Sequence, residues 1–353
     1  MRIAVLSTPF VAVPPERYGG TELMIYHLVE GLMHRGHDVT LFATGNSRTS
    51  AELRALYPEP QWPPDPLVDL NHVTWALAQL PQGEFDVVHA HSASALACAR
   101  LVPWLPMVYT VHHAREEVCS AYYRHFSDAY YVAISADQAR REIPFARIDV
   151  IHHGLDPRNY VWTERPRGNY VCFIGRFAAV KGVPAAIDAA ALAGVPIRVA
   201  GETHPVDVKF SECEVLPRLR QPHVTYLGSI GLKEKGPLLR DARALLVPIE
   251  WNEPFGLVMI EAMLSGCPVV AYPRGSVPEL VDDGVTGFIV HSEAEMAEVI
   301  RDGGRAQQLD RQRCRARALE RFECSRMVAA YERLYERAIE DAAADAGAAI
   351  HIA

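Results

Sequence analysis

The 353 residues carry 35 lysines and arginines against 43 aspartates and glutamates, a formal charge of -8, and 49% of them are apolar. That length suits two folded domains of about 150 to 180 residues each; the acidic balance argues against a general nucleic-acid binder, and no run approaches the roughly 18 apolar residues of a membrane span. Seven cysteines, odd in number, scattered and never spaced C-x-x-C, fit a reducing cytosol.

The opening "RIAVLS" is an apolar run of strand type. It reads as a first core strand and not as a signal peptide, since Pro9 interrupts it and a basic leader is nearly absent. In "TELMIYHLVEGLMHRGH", Ile25, Leu28, Val29 and Leu32 recur at helical spacing, Gly36 stands where the helix should end, and "DVTLFAT" follows as a strand. A β-α-β opening predicts a parallel sheet. "YPEPQWPPDP", Tyr57 to Pro66, predicts an exposed stiff loop. "FDVVHAH", "PMVYTVHH", "AYYVAIS" and "IDVIHHG" continue the sheet to about residue 157.

"GLDPRNYVWTERPRGN" is polar and aperiodic, as a linker should be. The pattern then restarts with "YVCFIG", an alanine-rich helix after Val183, "PIRVAG", "VTYLG", "ALLVPI", "PVVAY" and "TGFIV". A second parallel α/β domain is expected over residues 158–324. The last segment, about 325–353, predicts a helix with Met327, Val328, Tyr331, Leu334 and Tyr335 on its apolar face, and a frayed small-residue tail.

Open parallel sheets bind ligands beyond the carboxyl ends of their strands, so the loops there carry the candidate chemistry. "PPERYGGTE" places Gly19 and Gly20 before a helix start, which fits a phosphate loop or a plain tight turn. "FIGRFAAVKG" places Arg176 and Lys181 after a strand, a pair suited to a diphosphate or, alternatively, two solvated cations. It is not a Walker A loop, and no strand runs into G-x-G-x-x-G, which argues against a dinucleotide oxidoreductase. "EPFGLVMIEAMLSGCP" predicts a helix from about Leu257 to Ser265, with Glu253 in the loop before it and Glu261 inside it. A buried acid requires a partner or a ligand. Histidines end three strands: His89 and His91, His112 and His113, His152 and His153. Such clusters could hold a metal or line a polar cleft as hydrogen-bonding groups. With no H-E-x-x-H and no carboxylate placed to complete a set, no metal is expected.

Taken in order, "RYGGTE", "TVHH", "VIHHGLD", "GRFAAVKG", "EWNEPFGLVMIEAMLSGCPVVA" and "GSVPELVDDGVTGFIV" resemble the retaining glycosyltransferases of family 4 over about residues 1 to 340. The resemblance implies a GT-B fold, two Rossmann-like parallel-sheet domains facing across a cleft, with the C-terminal helix crossing back to the first. It implies that the first domain serves the acceptor and the second the nucleotide-sugar donor. Arg176 and Lys181 then match the pair on the donor diphosphate, and Gly19 and Gly20 the loop that closes on it. Glu261 matches the acid on the ribose. Glu253 matches the acid on the transferred sugar, with the backbone N–H groups of Phe255, Gly256 and Leu257 nearby, and His112 matches the histidine near the sugar's 6-hydroxyl. "HHGLD" departs from the common pattern, with His153 where many members have asparagine.

The implied activity is metal-independent hexosyl transfer from a nucleoside diphosphate sugar, UDP-glucose before a GDP-sugar, by a front-face mechanism, in the cytoplasm and with no cofactor. Each acid's partner is then expected to be sugar hydroxyls. "EEVCSAYYRHFSDAYY" is aromatic but not basic, which favours a soluble acceptor over a membrane surface. A sugar-nucleotide epimerase and a catalytically silent sugar-nucleotide sensor are the rival readings.

Overall fold

The computed structural model describes residues 1–17 and 19–350; Tyr18 of the glycine loop and residues 351–353 of the tail lie outside it. Two compact units result, one made of Met1–Gly154 with the chain from Cys324 onward, the other of Leu155–Glu323. The boundary falls after Gly154 and not after Pro157, because Leu155 already belongs to the second unit: its N–H donates to the Phe322 carbonyl at 2.9 Å, and it bridges in parallel to Glu323. The outgoing and returning chains therefore run side by side.

In the first unit the strands are β1 (Arg2–Leu6), β2 (Asp38–Phe42), β3 (Glu52–Arg54), β4 (Val87–Ala90), β5 (Met107–Val111), β6 (Tyr130–Ala133) and β7 (Ile148–Val150), all parallel, in the order β3-β2-β1-β4-β5-β6-β7. Most are covered on both faces, and so read as unbroken apolar runs. β3, "ELR", is a short edge strand with its side chains partly in solvent, and no apolar run announces it. The 57–66 loop ends one residue earlier than expected, since Pro66 opens a helix to Leu77 whose N-cap is Asp65.

The second unit holds β8 (Val171–Ile174), β9 (Ile197–Ala200), β10 (Val224–Tyr226), β11 (Leu245–Val247), β12 (Val269–Ala271) and β13 (Gly287–Ile289), again parallel, in the order β10-β9-β8-β11-β12-β13. In each sheet the strand order reverses once, between β1 and β4 in the first and between β8 and β11 in the second. Loops leaving such a pair diverge to opposite faces and leave a crevice at the carboxyl ends.

The last helix, Cys324–Ile350, returns to the first unit and packs on the Gly20–His34 helix and on β4 and β5. Met327, Val328, Tyr331, Leu334 and Tyr335 are buried there with Ile25, Leu28, Val29 and Leu32, which is the apolar spacing of both helices meeting face to face. The helix continues through the small residues expected to fray, because alanine is the strongest helix former. The two helices pack closely at Gly31. A Cβ there would stand 2.3 Å from Cγ2 of Val328, a β-branched side chain with little rotamer freedom. Gly31→Ala gains about 0.5–1 kcal/mol of helix propensity but overpacks a filled interface at about 1–3 kcal/mol. The expected result is a lower midpoint in urea denaturation, recovered in part when Val328→Ala is added; a Gly31→Ala protein more stable than wild type contradicts this packing.

The same helix begins under the glycine loop. Glu22, in its first turn, is buried, accepts a hydrogen bond from Thr8 Oγ1 at 2.8 Å, and lies where a Cβ on Gly19 would meet its Oε2 at 3.1 Å. Burial lifts its carboxyl above the ordinary 4.5, only partly opposed by the Thr8 hydroxyl. A folded pKa above the unfolded one means the folded state holds the proton more tightly. This contribution to stability is complete below about pH 4.5 and is lost as the pH rises through the raised folded value. Glu22→Gln should flatten that part of the stability–pH curve, as read by denaturation at a series of pH values; parallel curves for the two proteins contradict it.

Candidate functional site

At the reversal of the second sheet, the loop after β8 carries Arg176 and Lys181 and the loop after β11 carries Glu253. Backbone approach holds these loops together. Gly182 has a left-handed φ of +71°, and a Cβ there would stand 1.9 Å from the Pro248 carbonyl oxygen; two residues earlier, Glu250 N–H donates to the Val180 carbonyl at 3.0 Å. A third loop, after β12, fixes the backbone of Glu253: Ser276 N–H donates to its carbonyl at 2.9 Å, and a Cβ on Gly275 would lie 2.3 Å from its nitrogen.

The helix that follows spans Leu257–Leu264 and stops at Ser265, with Gly266 at a left-handed φ of +68°. Gly256, at φ +85°, turns the chain into it, and no side chain caps the start. The first N–H groups of a helix have no intrahelical acceptor and carry its positive dipole end, so this terminus favours an anion. Phe255 precedes it, buried, its carbonyl accepting from Ser276 Oγ at 2.6 Å.

Both acids have protein partners, where sugar hydroxyls were expected. Glu253 Oε2 pairs with Lys181 Nζ and accepts from Trp251 Nε1 at 2.8 Å, and the lysine lies 4.9 Å from the Trp251 ring centroid. Glu261 is 2% exposed, and its Oε1 accepts from Lys235 Nζ at 2.5 Å and from Tyr160 Oη at 3.2 Å. Burial, then the adjacent carboxylate, push the Tyr160 phenol well above its ordinary value, so it remains a donor. An unpaired carboxylate at Glu261 would cost several kcal/mol; the lysine and the phenol offset that cost through one oxygen and leave the other for a ligand. Arg176 contacts neither acid. Its Nε is 3.2 Å from Asp207 Oδ2, an ion pair whose angles fall short of a hydrogen bond. An anion arriving here would take or share cations that each already hold one carboxylate.

In the first unit, Gly19 and Gly20 follow β1, His89 lies within β4, and the other strand-end histidines follow β4, β5 and β7. Gly19 has φ +156° and a Cβ there would meet Pro15 Cβ at 2.8 Å, so the turn itself requires glycine. Four of the histidines converge. His91 Nδ1 and His112 Nε2 share a hydrogen bond of 2.9 Å, the rings of His89 and His91 lie 4.2 Å apart, and His112 stacks on His153 at 5.6 Å. His113 turns away to Tyr123 Oη at 2.7 Å. Burial, then the neighbouring imidazoles, holds His89, His91 and His153 well below the ordinary histidine range and His112 down to about 3, so the cluster is neutral at physiological pH. Among the described residues no three His, Cys, Asp or Glu side chains are grouped to hold a metal ion.

Lys235, Tyr160 and Trp251 are the site residues that the sequence reading misses. Lys235 had a legible signal. In "GLKEKGPLLRDA" it falls three residues after Leu232 and four before Leu239, on the apolar face of a helix that spans Leu232–Asp241, where a lysine needs a buried acid.

Residues 18–159 match the family described as Glycosyltransferase Family 4, and residues 161–320 the one described as Glycosyl transferases group 1. The chain is similar to the D-inositol 3-phosphate glycosyltransferase of Mycobacterium tuberculosis, 34% identical over 187 residues, which take in 46% of this chain and 38% of that protein. The chain spans less than half the length of the curated relatives it matches. Among solved structures it is similar to sucrose-phosphate synthase from Thermosynechococcus elongatus, with a TM-score of 0.80 and 19% identity over 95% of this chain and 98% of that one. It is similar also to HepE of Anabaena in complex with UDP-glucose, with a TM-score of 0.73 and 21% identity over 96% of this chain and 100% of that one. With both of its units matched and both sheets of the GT-B type, the chain belongs to the family 4, group 1 glycosyltransferases.

Proposed function

We propose that the protein is a retaining hexosyltransferase that takes its sugar from a nucleoside diphosphate donor, UDP-glucose before a GDP-sugar, and delivers it to a hydroxyl of a soluble acceptor in the cytoplasm. The observation that carries this reading is the switch point of the second sheet, where the loop bearing Arg176 and Lys181 is joined to the loop bearing Glu253 and an uncapped helix start, and Glu261 sits one turn into that helix. Cations and a helix start suit a diphosphate. Acids suit hydroxyls, which donate to them. The base and the sugar are carried over from the family resemblance, and a structural neighbour with UDP-glucose bound agrees with them.

In this reading the sugar C1–oxygen bond to the β-phosphate breaks while the acceptor oxygen bonds C1 on the same face, and the acceptor's proton passes to the departing phosphate oxygen. Arg176, Lys181 and the helix start stabilise the leaving diphosphate, so the reaction needs neither a general base nor a metal. Glu261 holds the ribose through the oxygen that Lys235 leaves open. Glu253 lies against the transferred sugar, with Phe255, Gly256 and Leu257 beside it, and the family resemblance assigns Gly19 and Gly20 to the phosphates. The resemblance sets His112 near the sugar's 6-hydroxyl.

Incubation with UDP-glucose should release UDP, faster with an acceptor alcohol and equally well in EDTA. A silent sensor releases none, an epimerase converts the sugar without releasing it, and EDTA sensitivity would restore a metal. Arg176→Ala should slow transfer on the order of 10² to 10³-fold, the cost of one preorganised contact to developing charge. Glu261→Ala should chiefly weaken affinity for free UDP. Glu253→Gln should lower kcat and leave UDP affinity almost unchanged, since UDP lacks the sugar. Equal loss of UDP affinity in both variants contradicts the division between them.

A further inference from the structure

The histidine cluster of the first unit contains more order than contact with a ligand requires. His91 follows β4 directly, is 5% exposed, and its side chain makes one hydrogen bond among the described residues, from Nδ1 to His112 Nε2 at 2.9 Å. Its other nitrogen, Nε2, is buried with no hydrogen-bond partner among the described residues. His112 keeps part of its ring exposed, and among the described residues nothing bonds its Nδ1. Behind them His89 is fixed at both ends, Nδ1 to Tyr335 Oη at 2.7 Å and Nε2 to Thr110 Oγ1 at 2.8 Å, and Thr110 also bonds Tyr331 Oη at 2.8 Å. The returning helix thus clamps the ring on which His91 lies.

One proton sits in the His91–His112 bond, and there are two ways to place it. If His112 Nε2 carried it, neutral His91 would hold its own proton on Nε2, a buried N–H with no acceptor. Buried N–H groups without acceptors are the rarer defect, and an acceptor left bare is the more tolerable one. The proton therefore belongs to His91 Nδ1, His112 Nε2 accepts it, and neutral His112 carries its hydrogen on Nδ1, the nitrogen that the protein leaves open. The hydrogen bond made at one ring nitrogen sets which nitrogen of a histidine carries the proton.

We propose that His91 is a positioning residue that locks His112 in its Nδ1–H form, so that His112 meets its ligand as a hydrogen-bond donor to an oxygen and not as an acceptor. Read with the function above, that oxygen is a hydroxyl of the transferred sugar; the tautomer itself does not depend on that reading.

The test is the 15N spectrum of histidine-labelled protein in long-range proton correlation, which separates protonated from bare ring nitrogens. Ligand-free wild type should show Nδ1 protonated and Nε2 bare at His112; the reverse assignment overturns the proposal whether or not any variant folds. His91→Phe keeps the ring and loses the donor, so His112 should shift toward its Nε2–H form. Its kcat with UDP-glucose should fall on the order of tenfold, the effect of one lost hydrogen bond, with UDP affinity unchanged. His91→Asn, which sets an amide N–H where Nδ1 stood, should recover both the tautomer and most of the rate. A His91→Phe protein with the wild-type tautomer overturns the proposal. Wild type with the Nδ1–H form but no hexosyl transfer supports the lock and rejects the proposed function, so the two failures are told apart.

Discussion

The candidate site depends on one close approach. Where the second sheet reverses between β8 and β11, Gly182 passes so near the Pro248 carbonyl that no side chain fits, and Glu250 N–H closes the gap to Val180. Two loops that would otherwise diverge are joined there, one bearing cations and the other bearing an acid. A left-handed glycine supplies the close approach without steric cost, and any other residue would push the loops apart. Lys181 then reaches Glu253, and an uncapped helix begins after Gly256 on the same loop as Glu253.

Charge explains why this region does not collapse into an apolar core. Glu261 is buried in a helix with Met259, Ile260, Ala262 and Met263 around it in sequence, a place where a lone carboxylate would be expelled or protonated. Lys235 and Tyr160 keep it in place, and both bind through a single oxygen. Glu253 is held in the same manner by Lys181 and Trp251. Removing the lysine that pairs a buried carboxylate costs about 3–5 kcal/mol, so Lys235, the partner of buried Glu261, matters to the fold as well as to any ligand; Lys181 and Glu253 are only partly buried. Under the proposed function, a diphosphate approaching Lys181 would meet a cation already partly neutralised, and binding would redistribute its contacts between ligand and Glu253.

The parallel sheets were legible because strands covered on both faces have continuous apolar sequence; β3 was not, since an edge strand of three residues with half-exposed side chains carries no such signature. Glu253 and Glu261 stood out as acids in an apolar stretch, and the glycines and Pro268 fixed the helix between them to within a residue. Their partners were harder. Tyr160 lies in a segment that reads as linker and meets Glu261 from 101 positions away, a pairing that no local period encodes. Lys235 was marked by its place on a helix's apolar face, and the mark became interpretable only with an acid opposite. The histidines were visible as a group at strand ends, but which nitrogen faces which could come only from the folded geometry.

The central claim is that the second unit receives a nucleoside diphosphate at the β8/β11 break. A crystal structure of the protein with UDP tests it most directly. The account predicts phosphate oxygens within hydrogen-bond distance of Arg176, Lys181 and the N–H groups after Gly256, and ribose hydroxyls on the free oxygen of Glu261 while Lys235 and Tyr160 keep the other. UDP bound elsewhere, or bound with Glu261 Oε2 untouched and Lys181 still wholly on Glu253, would contradict it.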